Sequence, residues 1–213
     1  MDEVFFQELR KKVKPYFIEG GSHAFDHVER VYNLALKLAN TEKNVDLDVL
    51  KAAVLLHDVA RQKEDKKECE CHAEEGAKMA EKILNEMNFQ EDKIKKASYA
   101  IYVHRHSKGM KAETKEAEIL QDADRLDALG AITIGRMFSS GGELNRPLYN
   151  PSVPLGDKSA KFETSTLHGF YTKIFKIKPE CFNTDEAKKI AKGRYKFVEE
   201  FVDRFLKEWN GEL

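Results

Sequence analysis

This chain of 213 residues has little of what marks several large classes of protein. It contains only three cysteines, Cys69, Cys71 and Cys181, and this odd, sparse set fits a reducing compartment better than a disulfide framework. No apolar run approaches the ~18 residues of a membrane span, and the first residues, MDEVFFQELRKKV, are amphipathic rather than a secretory signal. We therefore expect a cytoplasmic protein with no membrane partner.

The chain also lacks an excess of either charge. Lys and Arg total 36 and Asp and Glu total 37, which leaves a formal net charge of −1. Proteins that follow a phosphate backbone usually carry a basic surplus. Nucleic acid is therefore not the expected partner, although a locally basic pocket for a small phosphorylated molecule stays open.

Apolar residues recur every three or four positions along most of the chain, and no segment alternates convincingly over the length of a strand. This periodicity predicts an all-α protein. The helices are expected near Phe5–Val13, Val28–Leu38, Leu47–Leu56, Ala73–Met87, Ile94–His104, Thr114–Phe138 (with or without a break) and Ala187–Trp209. The third is apolar on all sides, so we expect it to be central and buried.

The length suits one domain over 1–213, with a core at about 20–130 and a C-terminal helical extension at about 160–210 that includes a long last helix. One segment, Ser139–Lys161, interrupts the helical pattern and contains Gly141, Gly142, Pro147, Pro151 and Pro154. Loops of this length inside a compact domain are usually functional or disordered. A substrate-contacting loop and a plain surface excursion both stay open.

Two histidines and two acids on three predicted helices have the chemistry of a metal site. His57 and Asp58 follow a buried apolar helix, where both are costly unless they are paired or bind a metal. His27 lies in the second predicted helix and Asp124 in the segment QDADRLDALGA. Taken alone, His27 is more typical of a capping or core histidine. Together these residues predict metal-assisted hydrolysis of a phosphorylated small molecule.

Three acids compete for the ligand position in that last segment: Asp122, Asp124 and Asp127. On a helix, Asp124 shares a face with Leu120 and Asp127, whereas Asp122 points about 200° away. We therefore expect Asp124 to bind the metal and Asp127 to be a catalytic neighbour in the same pocket.

The ordered series H…HD…D resembles the HD superfamily of metal-dependent phosphohydrolases, and most closely its bacterial YpgQ/YedJ-type members. The resemblance covers nearly the whole chain. The motifs that carry it are SHAFDHVERV, LLHDVA, VHRHS, QDADRLDALGA, HGFYTKIFKI and AKGRYKFVEEFVDRFLKEW. It implies a helical HD-domain bundle that holds a divalent metal at His27, His57, Asp58 and Asp124, and it implies pyrophosphohydrolysis of nucleoside triphosphates.

The chain departs from many HD nucleotide hydrolases at one point. Those enzymes carry an acid three or four residues after the HD pair, where this chain has Ala60 and Arg61. Glu64 and Asp65 are expected to lie too far along the chain to replace that acid. A metal-bound nucleotide sensor with little turnover therefore stays open beside an enzyme.

Further polar residues complete the predicted site. His72 and His104 loosely match histidines with which some HD proteins bind a second metal, and we expect them to contact phosphate or transfer a proton in catalysis. A second metal and a structural role both stay open for them. Arg30, Lys63 and Arg105 are the candidates for binding the substrate and neutralising charge on phosphate.

The leading hypothesis is a phosphohydrolase that acts on a nucleotide and cleaves a triphosphate to the monophosphate and pyrophosphate. The rival reactions are those of a phosphomonoesterase and a cyclic-nucleotide phosphodiesterase. Mn²⁺ is the expected metal, and Fe²⁺, Ni²⁺, Co²⁺ and Mg²⁺ are also chemically admissible. Association into a homo-oligomer is left open.

Overall fold

The computed structural model describes residues 1–17, 24–105, 108–157 and 161–213 of the chain. Over these residues the secondary structure is helical, without strands, as the periodicity predicts. The chain divides into two compact units, Met1–Asp124 and Arg125–Leu213. The expectation of one domain over 1–213 stays a prediction. Residues Ser22–His23 and His106–Ser107 of the quoted motifs lie outside the described residues.

The first unit holds six helices and most of a seventh. Their bounds are α1 (Glu3–Val13), α2 (Phe25–Ala39), α3 (Leu47–Leu56), α4 (Arg61–Asp65), α5 (His72–Glu86), α6 (Glu91–Val103) and α7 (Lys115–Asp127). Helix α3 packs against α1, α2, α5 and α6, and seven of its ten residues are buried. Its predicted central position is therefore confirmed.

Helix α3 has a defined start and a defined end. Asp46 caps its N-terminus, where the side chain accepts hydrogen bonds from the backbone N–H groups of Asp48 and Val49 at 3.1 and 3.3 Å. The helix ends at Leu56, so His57 and Asp58 lie in the turn that follows. The apolar helix thus anchors the HD pair in the core while the turn leaves both side chains free to face one point.

Polar side chains from four further helices, or from the turns that follow them, lie near His57 and Asp58 in the first unit. His27 lies in the first turn of α2, His72 is the first residue of α5, His104 follows α6, and Asp124 lies on α7. Gln121 holds two of these elements together, because its Nε2 donates to the backbone oxygen of Val103 at 2.7 Å. Most of these polar side chains therefore lie at or next to the ends of helices.

The second unit contains α8 (Ala131–Glu143), α9 (Thr166–Thr172) and α10 (Asp185–Trp209), with 3-10 turns at Ile174–Lys176 and Pro179–Cys181. Helix α8 packs against α9 and α10. The predicted segment Thr114–Phe138 is two helices, because Gly130 adopts a φ of +85° that ends the helical path. The predicted long C-terminal helix is α10. No helix in the described part of the chain is long and apolar enough to cross a membrane.

The loop expected at Ser139–Lys161 is wrong at its start, since α8 continues through Glu143. Gly141 and Gly142 contributed to that expectation together with the three prolines, yet both glycines lie in the last turn of α8. Gly141 is buried there, and the side chain of Thr166 occupies the space that a Cβ at this position would need. The remaining described part of this segment forms turns and irregular structure.

Candidate metal centre

Two imidazoles and two carboxylates converge in the first unit. The Nε2 atoms of His27 and His57 are 3.3 Å apart, and Nε2 of His27 lies 3.3 Å from Oδ1 of Asp124. Oδ2 of Asp58 is 3.8 Å from Nε2 of His27 and 3.9 Å from Nε2 of His57. We call this set of four residues the metal cluster. The four predicted ligands are therefore brought together, while their role in binding a metal stays a prediction.

The other oxygen of Asp58 faces two more imidazoles. Its Oδ1 is 3.3 Å from Nε2 of His72 and 3.8 Å from Nε2 of His104. The rings of His72 and His104 lie 5.3 Å apart between centroids. Two groups of side chains could hold a cation, His27 with His57 and Asp124, and Asp58 with His72 and His104. Asp58 thus faces the histidine pair with Oδ1 and the other three members of the metal cluster with Oδ2.

The orientation of each ring is set by a hydrogen bond at its far nitrogen. Nδ1 of His57 donates to the backbone oxygen of Val54 at 2.7 Å, and Nδ1 of His104 donates to the backbone oxygen of Ile101 at 2.5 Å. A neutral imidazole carries one proton, so these bonds leave a lone pair on Nε2. Both Nε2 atoms face the Asp58 carboxylate, as metal-binding or proton-accepting atoms would.

Burial and charge keep His57 and Asp58 in the forms that bind cations, and they favour the protonated ring at His104. Burial lowers the pKa of His57, which favours the neutral ring. Burial alone would raise the pKa of Asp58, but the surrounding imidazoles, His57 first, hold it well below its ordinary value. For His104, burial is outweighed by the Asp58 and Asp124 carboxylates, and its pKa is raised. Neutral His57 and ionised Asp58 are the states that a metal requires.

The cluster also fits a divalent ion by its spacing. Ligand atoms about 2.1 Å from an ion lie about 3.0 Å apart as neighbours in an octahedron and about 3.4 Å apart in a tetrahedron. The 3.3 Å separations at His27 fall in that range. Two Nε2 atoms at this distance repel each other unless a proton or a cation lies between them. The donor set and the spacing of His27, His57 and Asp124 therefore suit a metal, whereas Oδ2 of Asp58 lies farther off, at 3.8 and 3.9 Å from the two imidazole nitrogens.

Comparison with known proteins agrees with this geometry. Residues 24–129 match the HD domain family. YpgQ of Bacillus subtilis, described as uncharacterized, is 30% identical over 205 residues, which cover 91% of this chain and 87% of YpgQ. The chain belongs to the HD superfamily. The resemblance drawn from its motifs is confirmed.

Solved structures of HD proteins have the same fold. An HD-superfamily hydrolase of Bacillus thuringiensis is 32% identical, with a TM-score of 0.77 and 98% of both chains covered. The structure of B. subtilis YpgQ in complex with ADP has a TM-score of 0.72 at 24% identity and covers 95% of this chain and 96% of that one. This HD protein is a metal-dependent phosphohydrolase.

Glu64, six residues after Asp58, contacts the histidine pair. It accepts a hydrogen bond from Nδ1 of His72, and Nη1 of Arg105 donates to its other oxygen at 2.6 Å. These contacts are with His72 and Arg105, so the expectation that Glu64 does not replace the missing acid stays a prediction. Asp65, in contrast, pairs with Arg61 on the exposed side of α4.

The other predicted residues have these positions. Arg30 donates to Asp26 at 2.7 Å on α2. Lys63 donates to Glu75 of α5 at 2.5 Å, which gives it a carboxylate partner outside the metal cluster. Contact of these two cations with substrate stays a prediction.

Asp127 is buried in the second unit and accepts a hydrogen bond from Arg136 at 3.0 Å. That bond is sufficient reason for its burial, and its expected place in the catalytic pocket stays a prediction.

Proposed function

We propose that this phosphohydrolase cleaves nucleoside triphosphates to the monophosphate and pyrophosphate, with Mn²⁺ held by His27, His57, Asp58 and Asp124. The observation that supports the proposal is the convergence of His27, His57 and Asp124, which could hold a cation, with Oδ2 of Asp58 3.8 Å from Nε2 of His27. A divalent cation at such ligands lowers the pKa of a bound water and polarises a phosphoryl oxygen.

The protein's own side chains have separate roles around that ion. Asp58 holds its carboxylate toward the metal cluster with Oδ2 and toward the histidine pair with Oδ1. His72 and His104 present Nε2 to the same space, where each can take up a proton and pass it on. Arg105, held by Glu64, adds positive charge beside His72.

Support for a nucleotide comes from a relative. B. subtilis YpgQ, whose sequence is 30% identical to this chain, has been solved in complex with ADP. Attack of water on the α-phosphorus of a triphosphate breaks the bond to the bridging oxygen and releases pyrophosphate. The leaving oxygen and the attacking water both require proton transfer, which the histidine pair can provide.

The deciding experiment is a product assay with Mn²⁺-loaded protein and a panel of nucleoside triphosphates, monophosphates and cyclic nucleotides. We expect pyrophosphate and monophosphate from a triphosphate. Inorganic phosphate alone would indicate a phosphomonoesterase, and a monophosphate made only from a cyclic nucleotide would indicate a phosphodiesterase. Nucleotide binding without any product would identify a sensor, and each of these three outcomes would contradict the proposal.

An Asp58→Ala variant ties the activity to the site. It removes a carboxylate shared by the metal cluster and the histidine pair, so we expect a loss of hydrolysis by at least about 100-fold and less bound metal. Asp92→Ala is the matched control, because this exposed acid on α6 pairs with Lys96, one turn away. Wild-type turnover by Asp58→Ala would exclude the proposed site.

A further inference from the structure

His72 differs from the other oriented imidazoles in what holds its far nitrogen. His57 and His104 donate from Nδ1 to backbone oxygens of their own helices, Val54 and Ile101. His72 is the first residue of α5 and has no preceding helical turn to supply such an oxygen. Its Nδ1 instead meets the carboxylate of Glu64, from a different helix.

The neighbours of Nδ1 allow only one arrangement of the proton. Nη1 of Arg61 lies 3.3 Å from Nδ1 and can only donate, whereas the Glu64 carboxylate is closer and can only accept. If Nδ1 were unprotonated, its lone pair would face a carboxylate oxygen in direct contact. Each ring nitrogen of His72 faces a carboxylate, but Glu64 is in direct contact with Nδ1 whereas Oδ1 of Asp58 is 3.3 Å from Nε2. The single proton of a neutral ring therefore lies on Nδ1 and points to Glu64.

Glu64 is itself held in place and kept ionised. Nη1 of Arg105 donates to Oε1 at 2.6 Å, so the two carboxylate oxygens are divided between Arg105 and His72. Partial burial alone would raise the pKa of Glu64, but the hydrogen bonds from His72 and Arg105 lower it. The chain Arg105–Glu64–His72 thus ends at the carboxylate of Asp58.

We propose that Glu64 is a positioning residue that fixes the ring orientation and the tautomer of His72, so that Nε2 of His72 is directed into the catalytic site. This inference rests on the proposed function for its consequence in catalysis. Carboxylates that orient a histidine beside a metal site are typically worth about 10–100-fold in activity or metal affinity. Because the ring touches Asp58 and not the cluster's other ligands, the effect here is expected in turnover.

The tautomer can be read directly in metal-free protein. Nitrogen-15 NMR of histidine-labelled protein at about pH 8, with chelator, distinguishes protonated from unprotonated ring nitrogens. His72 is assigned among the seven histidines by the signal that disappears in His72→Gln. We expect wild-type His72 to carry its proton on Nδ1.

In Glu64→Ala, only the donor Arg61 remains near Nδ1, so we expect the proton to move to Nε2. Glu64→Gln keeps the shape of the side chain if the alanine variant folds poorly. Its amide oxygen must satisfy either His72 or the donor-only Arg105, and we expect a smaller share of the Nδ1–H form. Glu68→Ala is the matched control, because this exposed acid follows the same helix, and its spectrum should match the wild type.

Activity provides the second measurement. We expect Glu64→Ala and Glu64→Gln to lower kcat by about 10–100-fold with bound metal at the wild-type level, and Glu68→Ala to leave both unchanged. A Nδ1–H tautomer in both Glu64 variants, or wild-type kcat in them, would overturn the inference. Failure of wild-type protein to hydrolyse any nucleotide would instead reject the proposed function, and the tautomer result would stand by itself.

Discussion

The carboxylate of Asp58 lies between two pairs of imidazoles. Its Oδ2 faces His27 and His57, and its Oδ1 faces His72 and His104. A buried carboxylate with imidazoles on both sides is stabilised only in its ionised form, which is why its pKa is so low. The site is therefore prepared to receive positive charge before any ligand arrives.

Asp124 gives a test of this electrostatic balance in acid. Burial alone would raise its pKa, but the hydrogen bond with His27 and the nearby imidazoles lower it from 3.8 to about 2. The unfolded chain then binds more protons than the folded one, so ionised Asp124 stabilises the fold above about pH 4. That contribution, about 2 kcal/mol, is lost as the pH falls toward 2.

We predict that Asp124→Asn flattens this loss. Urea unfolding of chelator-treated protein between about pH 5 and pH 2 should show a smaller fall in unfolding free energy for the variant than for the wild type. Asp92→Asn, at an exposed position on α6, should retain the wild-type slope. Equal slopes for Asp124→Asn and the wild type would show that the carboxylate gains nothing from its imidazole neighbours.

At the scale of secondary-structure elements, positions within the longer helices were predictable from the sequence, whereas a contact made through a short helix and a turn was not. The apolar stripe of α2 and the buried core of α3 are visible in the spacing of residues, and so are the positions of His27 and His57 within them. The contact between Glu64 and His72 is not visible. It depends on α4, a helix of five residues, and on a turn in which Lys67 adopts a φ of +61°.

The charged sequence around Glu64 predicts a solvent-exposed connection and gives no sign of the contact with His72. Lys and Glu residues dominate the segment, and their pattern carries no apolar face that would indicate folding back onto α5. The end of α8 was concealed differently, because Gly141 and Gly142 are typical of loops. There the need for a small residue next to Thr166 outweighs the low helix propensity of glycine.

The two glycines of α8 provide a matched pair of substitutions. A Cβ at Gly141 would lie 2.2 Å from Oγ1 of the buried Thr166, whereas a Cβ at Gly142 meets nothing within 4 Å. We predict that Gly141→Ala lowers the unfolding free energy by about 1–3 kcal/mol through overpacking. Gly142→Ala should instead raise it by up to about 1 kcal/mol.

Urea unfolding of the two variants measures this difference directly, since both substitutions add the same methyl group to neighbouring positions. Equal stabilities for Gly141→Ala and Gly142→Ala would show that α9 does not pack against the end of α8 as described.

At the scale of the whole molecule, the family and the all-α class were predictable from the sequence, because the ordered HD motif and the helical periodicity extend over most of the chain. Both are confirmed. The division into units at Asp124 was not predictable, since α7 continues through that point without a change in its pattern. Amino-acid composition marks a boundary between units only where a linker differs in composition from the helices on either side of it.

The central claim is that separate parts of the first unit converge on one cation. Anomalous diffraction at the manganese edge, from crystals grown with Mn²⁺, tests it most directly. We expect a peak about 2.0–2.3 Å from Nε2 of His27 and His57 and from a carboxylate oxygen of Asp58 and Asp124. The absence of a peak among these four side chains in excess Mn²⁺, or a peak bound elsewhere, would contradict it.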